Sequence, residues 1–361
     1  MRRVGIFLAR RVALGIFTVL ALIAITFAVY WALPTAPTSF LYSSQHFTDY
    51  QIAHTNHLLG LDRPKIVQYG DYVWRLLHGD LGHAWNGSRL VNNTELQQQA
   101  VAPVVFNELG VTLSIIIGGA FLVVLLALPL GTFTGTRVGS FGDRAVSWAT
   151  LVGICTHPLV LGALLSLYFG FNHLNWLPGG GYCPLGGLPQ STVPGAPPGC
   201  DGVHDWALHL ILPWITFALL FIALYTRMVR ASVADTLHED FVRTARAKGA
   251  SEARVLRSHV LPSASLRVLT MVGMEIGTAI GVCIYIETAF GMFGLGKQAV
   301  FSMGVSFGGM DLPMMLAIVT LITLIVVIGN LIVDALYILL DPRAGRETAR
   351  SGAKSPVGGV F

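Results

Sequence analysis

The sequence predicts an all-α integral membrane protein of six transmembrane helices with both termini in the cytoplasm, and three observations carry that expectation. Hydrophobic residues make up 53% of the 361 residues and charged residues only 12%, where a soluble domain carries roughly 25% charge. Six apolar stretches are each long enough for a bilayer core, which a helix of about 20 residues crosses. Basic residues also crowd into alternate connections between those stretches. Each stretch has to be helical, because hydrocarbon offers backbone N–H and C=O groups no partner.

In order, residues 1–8 form a cytoplasmic N-terminus and 9–33 the first span. Arg2 and Arg3 before an apolar run imitate a signal peptide, but this run exceeds an h-region of about 7–15 residues. Tyr30 and Trp31 suit an interfacial anchor at its far end. Residues 34–104 form an external segment and 105–133 the second span, interrupted by Pro129, where a kink is expected. The third span, 145–171, carries Pro158 and the same expectation; an external loop, 172–206, follows. Next come the fourth span (207–231), a cytoplasmic loop (232–265), the fifth span (266–290), an external re-entrant segment (291–311), the sixth span (312–339) and a cytoplasmic tail (340–361). With the N-terminus inside, 18 of the 23 Lys and Arg residues are cytoplasmic; the reverse leaves only Arg63, Lys65, Arg75, Arg89 and Lys297 inside. The positive-inside rule decides for N-in, C-in. The net charge of +4 is then a topology signal that requires no nucleic acid.

Cys183 and Cys200 share the external loop 172–206, which is rich in Gly and Pro and holds no Lys or Arg. In an oxidising compartment they read as a disulfide; two unpaired thiols are the alternative. Cys155 and Cys283 lie within spans as small core residues. No Cys-x-x-Cys or His-x3-His spacing points to zinc, so no metal site is expected. Asn86-Gly87-Ser88 and Asn92-Asn93-Thr94 match a glycosylation sequon, a pattern too short to weigh. Residues 291–298, GMFGLGKQ, almost spell a phosphate-binding loop, but Gln298 replaces the hydroxyl that would hold Mg²⁺.

Several elements recur in one order. Residues 59–64 read LGLDRP, Gln68-Tyr69 follows, and 77–82 read LHGDLG. The loop 240–249 reads DFVRTARAKG and closes on Pro262; Glu287, Phe290, Gly294 and Gly296 follow; the last span ends on Asn330, Asp334, Tyr337 and Asp341-Pro342-Arg343. This series resembles the permease subunits of ABC importers in the dipeptide/oligopeptide (peptide/nickel) family, of the first-listed type with a large segment between helices one and two. Against the E-A-A-x3-G-x9-I-x-L-P loop of that family, Arg243 replaces the acid and His259 the isoleucine. Phe293 stands where a proline is usual.

The resemblance implies a type I ABC-importer-like fold with a cytoplasmic coupling helix docking on an ATPase subunit. Phe241, Arg243, Thr244, Ala245, Ala247, Gly249, Leu256 and Pro262 are the expected contact region. It also implies a second, homologous permease, two ATPase subunits or domains and an extracytoplasmic substrate-binding protein. No cofactor is expected on this chain, ATP and Mg²⁺ being used by the partners, and the location is the bacterial plasma membrane, in contact with lipid. Glu287, Gly294 and Gly296 would shape the external turn. Residues 34–104 either seat the binding protein or serve structure alone.

Ionisable groups inside spans are costly and face an interior or a partner. Glu275 is therefore a cavity or permease-interface carboxylate, or else a satisfied interhelical hydrogen bond; Asn330 and Asp334 sit toward the inner end of the sixth span. Gly273, Gly277 and Gly281 suit close packing within a permease pair. A secondary transporter would need a coupling-ion site and internal repeats, neither of which is evident. An intramembrane enzyme would need a nucleophile and base, and the sequence places no such pair. Within the importer class, peptides, nickel chelates, glutathione and oligosaccharides remain open as substrates.

Overall fold

The computed structural model describes residues 2–32, 49–91, 95–172, 174, 176–185, 200, 202–303 and 311–340. The Asp341-Pro342-Arg343 ending and the tail lie outside them, as do Asn92-Asn93-Thr94.

α1 (Arg2–Ala32) is followed by two shorter helices, α2 (Asp49–Leu58) and α3 (Lys65–Leu77). The Asp80 carboxylate then accepts the Gly82 amide at 2.8 Å. An antiparallel hairpin comes next, β1 (His83–Val91) against β2 (Glu95–Ala100), pairing His83 with Ala100 and Val91 with Glu95. It adds a small strand element to a helical fold.

α4 (Val101–Thr136) runs unbroken past Pro129. α5 (Phe141–Cys155) begins on Ser140, whose hydroxyl accepts the Asp143 amide at 3.2 Å. The expected third span then breaks. Pro158 pushes its predecessor out of the helical region, and His157 has ψ 132°. α6 (Pro158–Leu165) restarts with the His157 ring accepting the Leu159 amide at 3.3 Å, and α5 and α6 meet at 95°. A π-helical stretch, Ser166–Asn172, follows.

α7 (Gly202–Leu237) exceeds the expected 207–231 at both ends. The loop behind it holds α8 (Asp240–Ala247), α9 (Glu252–Val255) and a π-helical turn, Leu256–Val260, that passes straight into α10 (Leu261–Ala289). Pro262 sits in the first turn of α10, where a missing N–H costs little. α11 (Leu295–Ser302) and α12 (Leu312–Leu340) complete the chain. Among the described residues four helices, α1, α4, α7 and α12, are long and apolar enough to cross a membrane, or five spans with the bent α5–α6 pair. α10, at 29 residues, stands where the fifth span is expected.

The core is built on α4 against α7, and small residues let their backbones approach. A Cβ at Gly131 would meet Val229 at 2.5 Å and the Thr226 carbonyl at 2.9 Å. One at Gly135 would meet the Arg230 carbonyl at 2.8 Å, and Gly118 and Gly119 lie under Trp214 and Phe217. These packing glycines lie on α4. On α10, Gly277 and Gly281 have nothing described within 4 Å. At the same end of α7, the Arg230 guanidinium grips buried Asp143 with two bonds, 2.6 and 2.8 Å, and Asp143 also accepts the Gly139 amide at 2.8 Å. That fork ties the α4–α5 connection to α7. Gly135→Val should overpack this interface at a cost of about 1–3 kcal/mol. It should lower the Tm of the purified subunit in detergent, whereas Gly277→Val should leave that Tm unchanged.

Candidate functional site

The loop between α7 and α10 is a compact unit. Of the apolar residues of α8, Val242 and Ala245 lie one helical step apart on a single stripe that faces inward, whereas Phe241 and Ala247 are exposed. Val242 is fully buried among Val229 and Val233 of α7, Val255, Val260 and Ala264, with Ala245, Ala250 and Leu256 at the edge of this cluster. Phe241, Arg243, Thr244 and Ala247 are exposed, so α8 is anchored on one side and open on the other. The Thr244 hydroxyl turns back onto the Asp240 carbonyl at 2.9 Å, and Arg243 lies 3.7 Å from the Asp240 carboxylate.

Gly249 ends α8. Its φ is 81°, its amide donates to Arg246 at 2.9 Å, and the Ala250 amide donates to Ala245 at 3.2 Å. This pair of bonds closes a helix over a left-handed residue, which glycine adopts without strain. Across the turn Arg246 makes two bonds to the Glu252 carboxylate, 2.8 and 3.1 Å. The hydrogen-bonded guanidinium holds the Glu252 carboxyl below its ordinary range, and Arg246 is raised in return. The residues expected from the sequence include neither Val242 nor Glu252. The i, i+3 spacing of Val242 and Ala245 was the available signal for Val242.

At the opposite end of α10, Glu287, Gly294 and Gly296 come together. Glu287 is fully buried. Its carboxylate accepts the Thr112 hydroxyl of α4 at 2.7 Å and the Lys297 amide at 2.8 Å, while the Thr112 oxygen accepts the Leu295 amide at 2.9 Å. The Glu287 carboxyl group thus sits at the N-terminus of α11, where unsatisfied amides and the helix dipole favour an acceptor. Gly294 lies so close to the Glu287 carboxylate that any Cβ would collide with it, and a Cβ at Gly296 would lie 2.8 Å from the Ile284 Cα. Gly291 lets the chain reverse, with φ 66° and the Met292 amide returning to the Glu287 carbonyl at 2.9 Å. Phe293 receives the Lys297 ammonium 4.0 Å from its ring centroid. Buried Glu108 of α4 lies within the electrostatic reach of Glu287.

Cys183 and Cys200 are disulfide-bonded, with Cα atoms 5.5 Å apart. His209 of α7 is beside them and contacts the Gly180 and Gly181 carbonyls at 3.1 and 3.2 Å. The Gly181 amide donates to the Phe290 carbonyl at 2.9 Å, which docks the loop on the end of α10. Glu275 is half-buried on α10 with Tyr225 of α7 in its field. Asn330 is half-buried on α12, and one turn on, Asp334 lies 3.3 Å from Arg11 Nε of α1, an ion pair without hydrogen-bond alignment.

Two family models match the chain. The binding-protein-dependent transport system inner membrane component matches residues 127–346, and the N-terminal region of such membrane components matches 4–116. The chain belongs to the family of binding-protein-dependent transport system inner membrane components, the permeases of ABC importers. It is a multi-pass inner-membrane protein and carries no ATPase of its own; such permeases work with ATPase and substrate-binding partners.

A putative peptide permease protein of Brucella ovis is 30% identical over 92% of this chain and 97% of its own length. A probable peptide ABC transporter permease protein of Sinorhizobium fredii is 30% identical over 94% and 99%. The probable D,D-dipeptide transport system permease protein of Escherichia coli is 30% identical over 92% and 95%. Among solved structures, the inward-facing MetNI methionine ABC transporter aligns at TM-score 0.49 and 15% identity, over 66% of this chain and 96% of that one.

Glu287→Ala would leave the Thr112 hydroxyl and the Lys297 amide without their acceptor. Each such buried group costs about 1–3 kcal/mol, so a clear fall in Tm is expected for the purified protein. Glu287→Gln keeps an acceptor oxygen and should lose less.

Proposed function

We propose that this chain is one of two permease subunits of a bacterial importer for di- or oligopeptides. In this reading six spans, α10 among them, run N-in and C-in. The chain pairs with a homologous permease, and two ATPases supply the energy. The observation that carries the proposal is α8: a short helix anchored by Val242 to α7 and α10, offering Phe241, Thr244 and Ala247 to a partner. The asymmetry of Lys and Arg supports placing that face in the cytoplasm. Peptide as substrate is favoured because relatives matched over more than nine-tenths of the chain are named as peptide permeases.

Transport then follows alternating access: ATP binding closes the ATPases, the α8 surfaces move with them, and the cavity opens toward the binding protein. Hydrolysis restores the first state. The ATPases act by stabilising one packing of the helices over the other. The open face of Gly277 and Gly281 supports a close permease pair on α10. Glu275, on the same helix, lines the path or that interface.

The test is the reconstituted importer with its binding protein, challenged with peptides, a nickel chelate, glutathione and an oligosaccharide. Peptides alone should stimulate both ATP hydrolysis and uptake. Gly249→Val forces a β-branched residue into a left-handed conformation and should uncouple hydrolysis from uptake, or release the ATPase, without preventing membrane insertion. Combined with Ala245→Asp, intact coupling would refute the docking surface. Glu275→Gln should fold normally and change uptake or its coupling. Uptake equal to wild type for several peptides would remove Glu275 from the path.

A further inference from the structure

α3 belongs to a segment expected to stand outside the membrane, yet it packs along the flanks of two apolar spans. At its start the Lys65 ammonium lies 4.8 Å from the centroid of the Trp31 ring, at the end of α1. One turn further on, Tyr69 meets Phe27 edge-on at 5.8 Å between centroids, and its hydroxyl donates to the Leu20 carbonyl at 3.3 Å. The Tyr72 hydroxyl lies 3.3 Å from the Thr320 hydroxyl of α12. At 1.5 Å per residue, Leu20 is about 18 Å along α1 from Ala32, and Thr320 about 12 Å along α12 from Leu312. Half a hydrocarbon core is about 15 Å. α3 therefore descends antiparallel to α1 from the level of Trp31 toward the depth of the acyl chains.

The two faces of α3 differ. Tyr72 is 5% exposed and closes on Thr320, whereas Ile66, Trp74 and Leu77 are 76%, 66% and 75% exposed. With Gly70 between them, these three follow the i, i+4, i+8, i+11 spacing of one helical stripe. Gln68, Asp71 and Arg75 line a cavity of about 490 Å³ together with Arg63, His83 and Trp85; of the stripe only Trp74 touches it, while Ile66 and Leu77 lie outside its lining. The neighbouring α1 exposes Ile25 and Val29 to 57% and 54%, which continues the apolar surface past α3.

We infer that α3 is a membrane-embedded amphipathic helix whose Ile66, Trp74 and Leu77 are covered by acyl chains of the leaflet beside Trp31. Depth selects lipid as the occupant: the stripe lies alongside residues of α1 and α12 that are themselves inside the span. An amphipathic helix with Trp and Leu on one face and Lys or Arg beside it is the kind that beds into a bilayer boundary. That this leaflet is the outer one rests on the orientation proposed above.

The test uses the complete transporter in nanodiscs, with Cys155→Ser and Cys283→Ser and one spin label at Ile66→Cys, Leu77→Cys or Asp71→Cys. Labels at 66 and 77 should collide more with oxygen and less with a water-soluble nickel complex than the label at 71. High nickel access at 77 would place the stripe in water, and low access to both reagents would place it under protein; either overturns the inference. In the unlabelled protein, lipids brominated in their acyl chains should quench Trp74, so Trp74→Phe should reduce the quenched fraction. An unchanged fraction overturns the inference as well. An impermeant thiol reagent on sealed cells separates the two ideas: labelling of Asp71→Cys only after the membrane is opened would refute the orientation and leave the lipid contact standing.

Discussion

Hydrocarbon offers no hydrogen-bond partner, and most of this architecture answers to that constraint. Hydroxyls on the spans turn onto their own helices: Thr26 to Leu22, Thr216 to Leu212, Thr320 to Leu316 and Thr323 to Val319, all at 2.6–2.9 Å. Each break in a helix carries its own repair. The amide freed after Pro158 finds the His157 ring, and the chain reversal at Gly291 returns the Met292 amide to Glu287. Glu287 itself meets the orphan amides of α11, so a buried carboxyl group and a buried helix end answer one another. Irregular backbone is tolerated where protein covers it.

Because lipid tails are as apolar as leucine, the helices do not cohere through hydrophobicity. Close approach does that work, and α4 achieves it with glycines where α7 presents Trp214, Phe217 and Val229. The Asp143–Arg230 fork adds direction at one end of this pair, and Thr112–Glu287 joins α4 to α10 at the other. α10 shows the contrast. Its Gly277 and Gly281 face open space within this chain, a surface suited to another helix coming as near as α7 comes to α4.

What the sequence disclosed, it disclosed through local rules. Long apolar runs, the paired cysteines of one loop and the helix end at Gly249 depend on neighbours in the chain. Pro158 signalled a kink, but nothing local said that Thr156 and His157 would turn the third span through 95°. The Glu287–Thr112 bond joins residues 175 positions apart, and no single-sequence pattern marks such a pair. The hairpin was hidden because Glu95–Ala100 is Gln-rich and lacks the β-branched residues that announce a strand. α3 was hidden by its charges. Lys65, Asp71 and Arg75 made a half-apolar helix read as a solvated one, although Ile66, Trp74 and Leu77 already fell on one stripe.

The packing of the loop between α7 and α10 also constrains how movement can pass through the chain. Val242 packs α8 against the adjoining ends of α7 and α10, and Val229, Val233, Val255 and Val260 close around it. Close-packed side chains transmit displacement, because sliding by a fraction of a side chain opens voids that cost contacts on both sides. α9 and the π-helical turn run without interruption into α10, so α8 is linked directly to that helix. At its far end α10 is fastened to α4 through Glu287 and Thr112, and to the disulfide-bearing loop through Phe290 and Gly181. If α8 has the docking role proposed for it, a displacement imposed there would pass through α10 to the loop attached at its far end. The joint in that path is the π-helical turn, whose wider winding lets a helix change direction without losing its hydrogen bonds.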